Sequence, residues 1–233
     1  MKYPNEVCFA VEGRYALFSD PVTRAGGEKC TLQIPTYQAL KGILESVYWK
    51  PTLIWVIDAV RVCNVIQTQS KGIRPMKYNR SENELAIYTY LKDVRYQVRA
   101  HFIWNEQRPD LARDRNEDKH FQIATRMIER GGRRDIFLGT RECQAYVSPC
   151  VFGEGESPYD AVPELGFGLM YHGISYPDET DTHEMIVRFW NPVMRKGVIE
   201  FCPPQACPHS RTLWEGAVKP FVIGENYRIE EDA

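Results

Sequence analysis

Lys119 and His120 stand side by side at the start of a stretch whose apolar residues have helical spacing. A helix N-terminus presents unpaired backbone N–H groups and a partial positive charge, so it draws phosphate. Lys119 adds a full charge that can hold a phosphate oxygen or steady one as charge develops on it. A histidine ordinarily titrates near neutrality and can take or give a proton at cellular pH. Cutting RNA without a metal needs that kit: a base for the 2′-hydroxyl proton, a cation for the crowded phosphorane, and an acid for the leaving 5′-oxygen. By itself the pair also fits solvated decoration at a helix start. A third candidate is Tyr48, which ends an earlier helix beside Trp49 and Pro51. Its hydroxyl could orient the sugar or donate a proton, and the same spacing describes an aromatic packed at a helix end.

Three basic groups could hold a polyanion. Lys71, Arg74, Lys77 and Arg80 lie on one excursion of the chain with no acid between them. Arg95, Arg99 and His101 share one face of a predicted strand. Arg126, Arg130, Arg133, Arg134 and Arg141 cluster in and after the second helix. Tyr78 and Tyr96 are interleaved among them and could stack on bases. The net charge is only −2, yet residues 153–233 hold six Lys and Arg against fourteen Asp and Glu. Of the 29 basic and 31 acidic residues, 23 and 17 therefore precede residue 153. Polyanion binding follows local potential, so a basic first two-thirds fits RNA better than the total suggests. The chain has no Walker loop, GxSxG, HExxH or paired Cys-x-x-Cys. Cys202, Cys207 and His209 form a Cys-x4-Cys-x-His run without a second half, so neither a metal ligand set nor a cofactor is expected.

The elements that must carry these residues follow from periodicity. Residues 5–12 alternate and predict a strand; 13–35 reads as a loop. Thr36 can cap a helix bearing Tyr37, Leu40, Ile43, Leu44 and Val47 on one stripe, stopped by Pro51. A strand is expected over Leu53–Gln69, a hairpin excursion over 70–92, and a cleanly alternating strand over Val94–Trp104. Phe121, Ala124, Met127 and Ile128 line a second helix that Gly131 and Gly132 end, and a short strand follows near Gln144–Val147. Strand, helix, strand, strand, helix, strand predicts an α+β fold with a ferredoxin-like (RRM-like) domain over residues 1–150. Residues 151–233 are Gly- and Pro-punctuated and predict a smaller β-rich domain, with strands at Met185–Trp190, Gly197–Phe201 and Phe221–Ile229. With 43% hydrophobic residues, no membrane-length apolar run, no secretory signal and seven scattered cysteines, a cytoplasmic protein with reduced thiols is expected.

Five fragments in order carry a resemblance: GRYALFSDPVTR (13–24), IPTYQALKGILESVYWKP (34–51), GIRPMKYNRSENE (72–84), EDKHF (117–121) and FLGTRECQAYV (137–147). Across roughly residues 5–205 the chain resembles the fifth family of CRISPR-associated proteins, Dvulg subtype, of type I-C systems. The resemblance implies a metal-independent endoribonuclease that cuts precursor CRISPR RNA at its repeat hairpin, leaving 2′,3′-cyclic phosphate and 5′-hydroxyl ends. It implies retention of the 5′ handle within a type I-C interference complex, a ferredoxin-like domain with a β-rich extension, and catalytic roles for Tyr48, Lys119 and His120. Non-specific DNA binding enters on the same ground, from metal-dependent DNA cleavage by some relatives. The segment EKCTLQIP (28–35) departs from the family pattern. The two helices of an ideal ferredoxin-like sandwich are expected to run roughly parallel, which puts Tyr48 at the end opposite Lys119 and His120 unless helix lengths or the 105–118 loop break ideality.

Two other readings stay open at this level. One is a non-catalytic subunit that holds the RNA 5′ handle. The other is a metal-dependent nuclease built on carboxylates such as Glu117 and Asp118.

Overall fold

The computed structural model of the chain describes residues 3–24, 27–74, 85–180 and 183–216. Strand β1 (Val7–Ala16) runs past its predicted end because Gly13 and Tyr15 go on pairing with Val94 and Lys92. Gly13 is needed inside the strand, since an added Cβ would stand 2.8 Å from Leu138 Cδ1. Helix α1 (Tyr37–Val47) starts where Thr36 Oγ1 accepts the Ala39 N–H at 3.1 Å, and the predicted apolar stripe is buried. Strand β2 (Leu53–Val62) is shorter than predicted. Residues 63–67 are irregular, and β3 (Thr68–Ile73), largely within the predicted hairpin excursion, pairs with the first part of β4 (Ala86–Trp104). That pairing is why β4 begins at Ala86 rather than Val94.

A 3₁₀ turn (Pro109–Asp114) leads into helix α2 (Glu117–Glu129). Ala124 and Ile128 are buried and Phe121 and Met127 pack at the edge of the core. Gly131 and Gly132, at φ of 82° and 109°, return N–H groups to the Ile128 and Met127 carbonyls and end the helix as predicted. Strands β5 (Ile136–Phe137) and β6 (Gln144–Pro149) follow.

The central strand order is β6-β1-β4-β2, with every neighbouring pair antiparallel. Strands β1 and β4 therefore point in opposite senses, and so do the two helices that return from them. The expectation of parallel helices is overturned: the end of α1 and the start of α2 share the sheet end where Leu53 faces Trp104.

The chain goes on through β7 (Leu165–Gly166), β8 (Met170–Ser175), β9 (Glu184–Trp190), β10 (Val193–Arg195), β11 (Val198–Glu200) and β12 (His209–Glu215). Strand β11 pairs with β2, so β11, β10 and β7 extend the same sheet to nine strands, while β12, β9 and β8 form a separate sheet of three. The predicted strand Phe221–Ile229 lies outside the described residues.

Residues 152–155 cross the polar face of β4. Gln97 donates to the Glu154 carbonyl at 2.7 Å and accepts from the Gly153 N–H at 2.8 Å. Arg61, almost fully buried, donates to the Glu154 and Gly155 carbonyls at 3.0 and 2.8 Å and to Asp160 at 2.9 Å. The face expected to be open and basic is thus partly roofed by the later part of the chain. None of the seven cysteines is joined in a disulfide, and among the described residues no helix is long and apolar enough to cross a membrane.

Candidate active site

Tyr48 leaves α1 in an extended conformation, with its N–H still donating to the Leu44 carbonyl at 2.9 Å. The indole of Trp55, in β2, donates to the Tyr48 carbonyl at 2.7 Å and fixes the residue from the other side. Held this way, the phenol reaches into the first turn of α2, where Tyr48 Oη lies 2.7 Å from His120 Nδ1. The other ring nitrogen, Nε2, lies 2.8 Å from the Asp114 carbonyl oxygen. A carbonyl only accepts, so Nε2 carries the proton, and a neutral ring must then accept the Tyr48 O–H at Nδ1. Phe102 and Trp104 stand edge-on to the imidazole. The histidine is fully buried and Tyr48 is 2% exposed.

Lys119 is the solvent-facing member. Its Nζ donates to Asp114 Oδ1, and the other carboxylate oxygen accepts from Thr52 Oγ1 at 2.8 Å. The Lys119 ammonium, the Thr52 hydroxyl and His120 together hold the Asp114 carboxyl below the usual carboxylate range. The Tyr48 hydroxyl is pushed up to about 12 by burial first and the Asp114 charge second, with Arg133 opposing. The helix terminus offers a phosphate little bare backbone: Asn116 Oδ1 already accepts the Lys119 N–H at 3.0 Å, and Glu117 and Asp118 occupy the first turn. An incoming phosphate would meet the Lys119 side chain.

Tyr48, Lys119 and His120 are therefore together, joined through Asp114. Sequence reasoning missed Asp114 and Thr52. Asp114 lies in a charged segment with no periodicity, and nothing local marks it as a partner of the helix start.

The basic residues are more dispersed. Lys71 Nζ sits 3.3 Å above the Tyr15 ring, and Arg99 stacks at 4.8 Å on Phe152. Arg95 is 3.6 Å from Glu12, Arg74 is exposed, and Arg141 lies 5.7 Å above Phe137. Lys77, Tyr78 and Arg80 lie outside the described residues. Tyr96 is buried and stacks on nothing outside the core. Arg130, Arg133 and Arg134 are exposed at the end of α2. Backbone N–H groups of Arg133 and Arg134 donate to the Val47 and Ser46 carbonyls at the end of α1, which ties this basic turn to the segment carrying Tyr48. Beside it a groove of about 540 Å³ is lined by Arg133, Arg134 and Tyr146, whose ring is 65% exposed. Tyr146 drew no notice in the sequence.

A family model described as "CRISPR-associated protein (Cas_Cas5)", of the Cas5d type, matches residues 6–202. The CRISPR pre-crRNA endoribonuclease Cas5d of Mannheimia succiniciproducens is 25% identical over 226 residues, covering 85% of this chain and 96% of that protein. The protein of the same name from Thermus thermophilus is 26% identical over 185 residues, covering 75% and 76%. A solved structure of a functionally uncharacterized protein from Streptococcus mutans superposes with a TM-score of 0.75 at 39% identity, over 89% of this chain and 97% of that one. The crystal structure of a CRISPR-associated protein superposes with a TM-score of 0.73 at 34% identity, over 89% and 96%.

Proposed function

The chain belongs to the Cas5d family of CRISPR-associated proteins, and from that premise we propose that it is a CRISPR pre-crRNA endoribonuclease acting without a metal through Lys119 and His120. The observation that carries the reading is the chain of contacts Tyr48–His120–Asp114–Lys119 at one corner of the sheet. In the cut, the 2′-oxygen gives up its proton and attacks the neighbouring phosphorus. The P–O5′ bond breaks, and the 5′-oxygen takes a proton. The products carry a 2′,3′-cyclic phosphate and a 5′-hydroxyl. Lys119 supplies the charge for the phosphorane, and His120 Nε2 is the proton-handling atom.

Tyr48 acts here as a positioning residue, since it is buried behind the ring. A phenol both donates and accepts, so it can partner Nδ1 whether the imidazole holds one proton or two. The Pro109–Asp114 turn guards the site, because Asp114 occupies His120 Nε2 and Lys119 at once. A phosphate that takes Lys119 from Asp114 loosens the same turn that covers His120.

We read the β1–α1–β2–β4–α2–β6 unit as ferredoxin-like, as in RNA recognition modules, and the β-rich residues after 150 as its extension. The repeat hairpin is taken to contact the basic turn around Arg130, Arg133 and Arg134, with Tyr146 stacking on a base. Retention of the 5′ handle as a subunit of a type I-C complex belongs to the same proposal. Burial of both His120 and Tyr48 favours a second reading, a subunit that binds the handle and cuts nothing.

Incubating the protein with its cognate repeat RNA in EDTA, and analysing product ends, tests both. Cyclic phosphate from the native chain, with cutting lost in His120→Ala while RNA binding persists, supports the nuclease. Tight binding with intact RNA after hours leaves only the binding subunit. Full cutting by His120→Ala removes His120 from the mechanism.

A further inference from the structure

The Cys-x4-Cys-x-His run of the sequence is broken up by the fold. His209 opens β12 on the surface, its backbone paired with Phe189. A different histidine stands with the two cysteines. His172, in β8, is fully buried, and one of its ring nitrogens and the sulfurs of Cys202 and Cys207 all lie within 4.8 Å of one another.

Two features point to a ligand. The two sulfurs are 3.7 Å apart. Thiolates at about 2.3 Å from a tetrahedral zinc ion stand about 3.8 Å apart, so the cysteine pair already has the required edge. The histidine edge would be about 3.5 Å, which asks the ring and sulfurs to close inward by roughly 1 Å. The second feature is the ring itself. Its Nε2–H donates to the Cys202 carbonyl at 3.1 Å, while Nδ1 is buried with no partner among the described residues. A buried acceptor without a partner is costly. A ring whose N–H is held by a backbone carbonyl, with the other nitrogen bare, is the arrangement of metal-ligating histidines.

We propose that His172, Cys202 and Cys207 bind one soft divalent cation, zinc being the representative, and that both thiol protons leave to solvent as it binds. Soft sulfur with imidazole selects zinc over the oxygen-seeking magnesium and calcium. Tyr37 stacks on the imidazole at 4.4 Å and Trp190 meets it edge-on, so the site is walled by aromatic rings. His172 and Cys202 also line a cavity of about 340 Å³, which leaves room for water as a fourth ligand. The three ligands come from different parts of the fold. Cys202 follows β11 of the nine-stranded sheet, whereas His172 and Cys207 belong to or adjoin the three-stranded one. The ion would tie the two sheets together.

The test loads tag-free, fully reduced full-length protein with zinc, removes the excess by gel filtration and counts metal by mass spectrometry. Cobalt is loaded in parallel for its thiolate charge-transfer absorption. One equivalent is expected for the native chain and for His209→Ala. Binding should fall by at least about tenfold in His172→Ala and vanish in the Cys202→Ser/Cys207→Ser double variant. Should those variants fail to fold, the native protein still answers: a mercurial should release the zinc after blocking two thiols per ion, with peptide mapping placing the label on Cys202 and Cys207. The proposal is overturned by a native chain that retains no metal. Retention by the double variant, or loss in His209→Ala with retention in His172→Ala, overturns it equally.

Discussion

Tyr48→Phe removes one hydroxyl and leaves the ring. The lost bond is the 2.7 Å contact to His120 Nδ1, inside a pocket closed to water. Nδ1 then becomes a buried acceptor without its donor, a cost of about 1–3 kcal/mol. In a chain of 233 residues each kcal/mol lowers Tm by about 2–4 °C, so the variant should melt about 2–12 °C below the native protein. The imidazole also loses one of its two anchors. Misplacement on the order of 1 Å costs about 100-fold in rate, so single-turnover cleavage of bound repeat RNA should slow by about 10- to 100-fold. The Tyr48 hydroxyl is pushed up to about 12, so it stays protonated across the working range and adds no limb to the pH–rate profile. The variant's profile should keep its shape at a lower level. An unchanged Tm with an unchanged rate would refute the hydrogen-bond argument. A profile missing one limb would refute the positioning role and make Tyr48 a proton donor or acceptor in its own right.

Asp114→Asn tests the acid limb of stability. The native carboxyl titrates below its unfolded value because Lys119 first, then Thr52 and His120, favour its charged form. Its contribution is therefore present above the unfolded value of about 4 and is lost as pH falls through the folded one. Denaturant titrations should show that the native chain loses stability below about pH 4 and that the Asp114→Asn chain loses less. Arg61→Ala leaves the Glu154 and Gly155 carbonyls without their donor and Asp160 without its partner, and should cost about 3 kcal/mol in urea unfolding. Asp160→Asn should cost less, since that carboxylate is half-exposed. Arg133→Ala and Arg134→Ala should each weaken repeat-RNA binding and reduce the slope of log K against log salt by about 1. Filter binding across a salt series reads this directly, and unchanged slopes would remove that turn from the RNA path.

The stripes of α1 and α2 were legible because helical periodicity is local. Tyr37, Leu40 and Leu44, like Ala124 and Ile128, report their buried face from spacing alone. The Thr36 cap and the Gly131–Gly132 stop are local for the same reason. Strand ends were less legible. Gly13 continues β1 and Ala86 starts β4 only because a distant strand pairs with them.

By itself the sequence determined which residues to propose for the chemistry. Lys119 and His120 are adjacent in the chain, Tyr48 ends a helix that its own pattern defines, and the run from GRYALF to QAYV carries the family. Only the tertiary structure decided how they meet. Antiparallel pairing of β1 with β4 opposes the two helices and brings the end of one to the start of the other, where parallel helices would have held them apart. Only the fold supplied Asp114 to join Lys119 to His120, and only the fold set His172, rather than His209, beside Cys202 and Cys207. Spacing along a chain reports local periodicity, while the distance between side chains depends on which strands pair and in which sense.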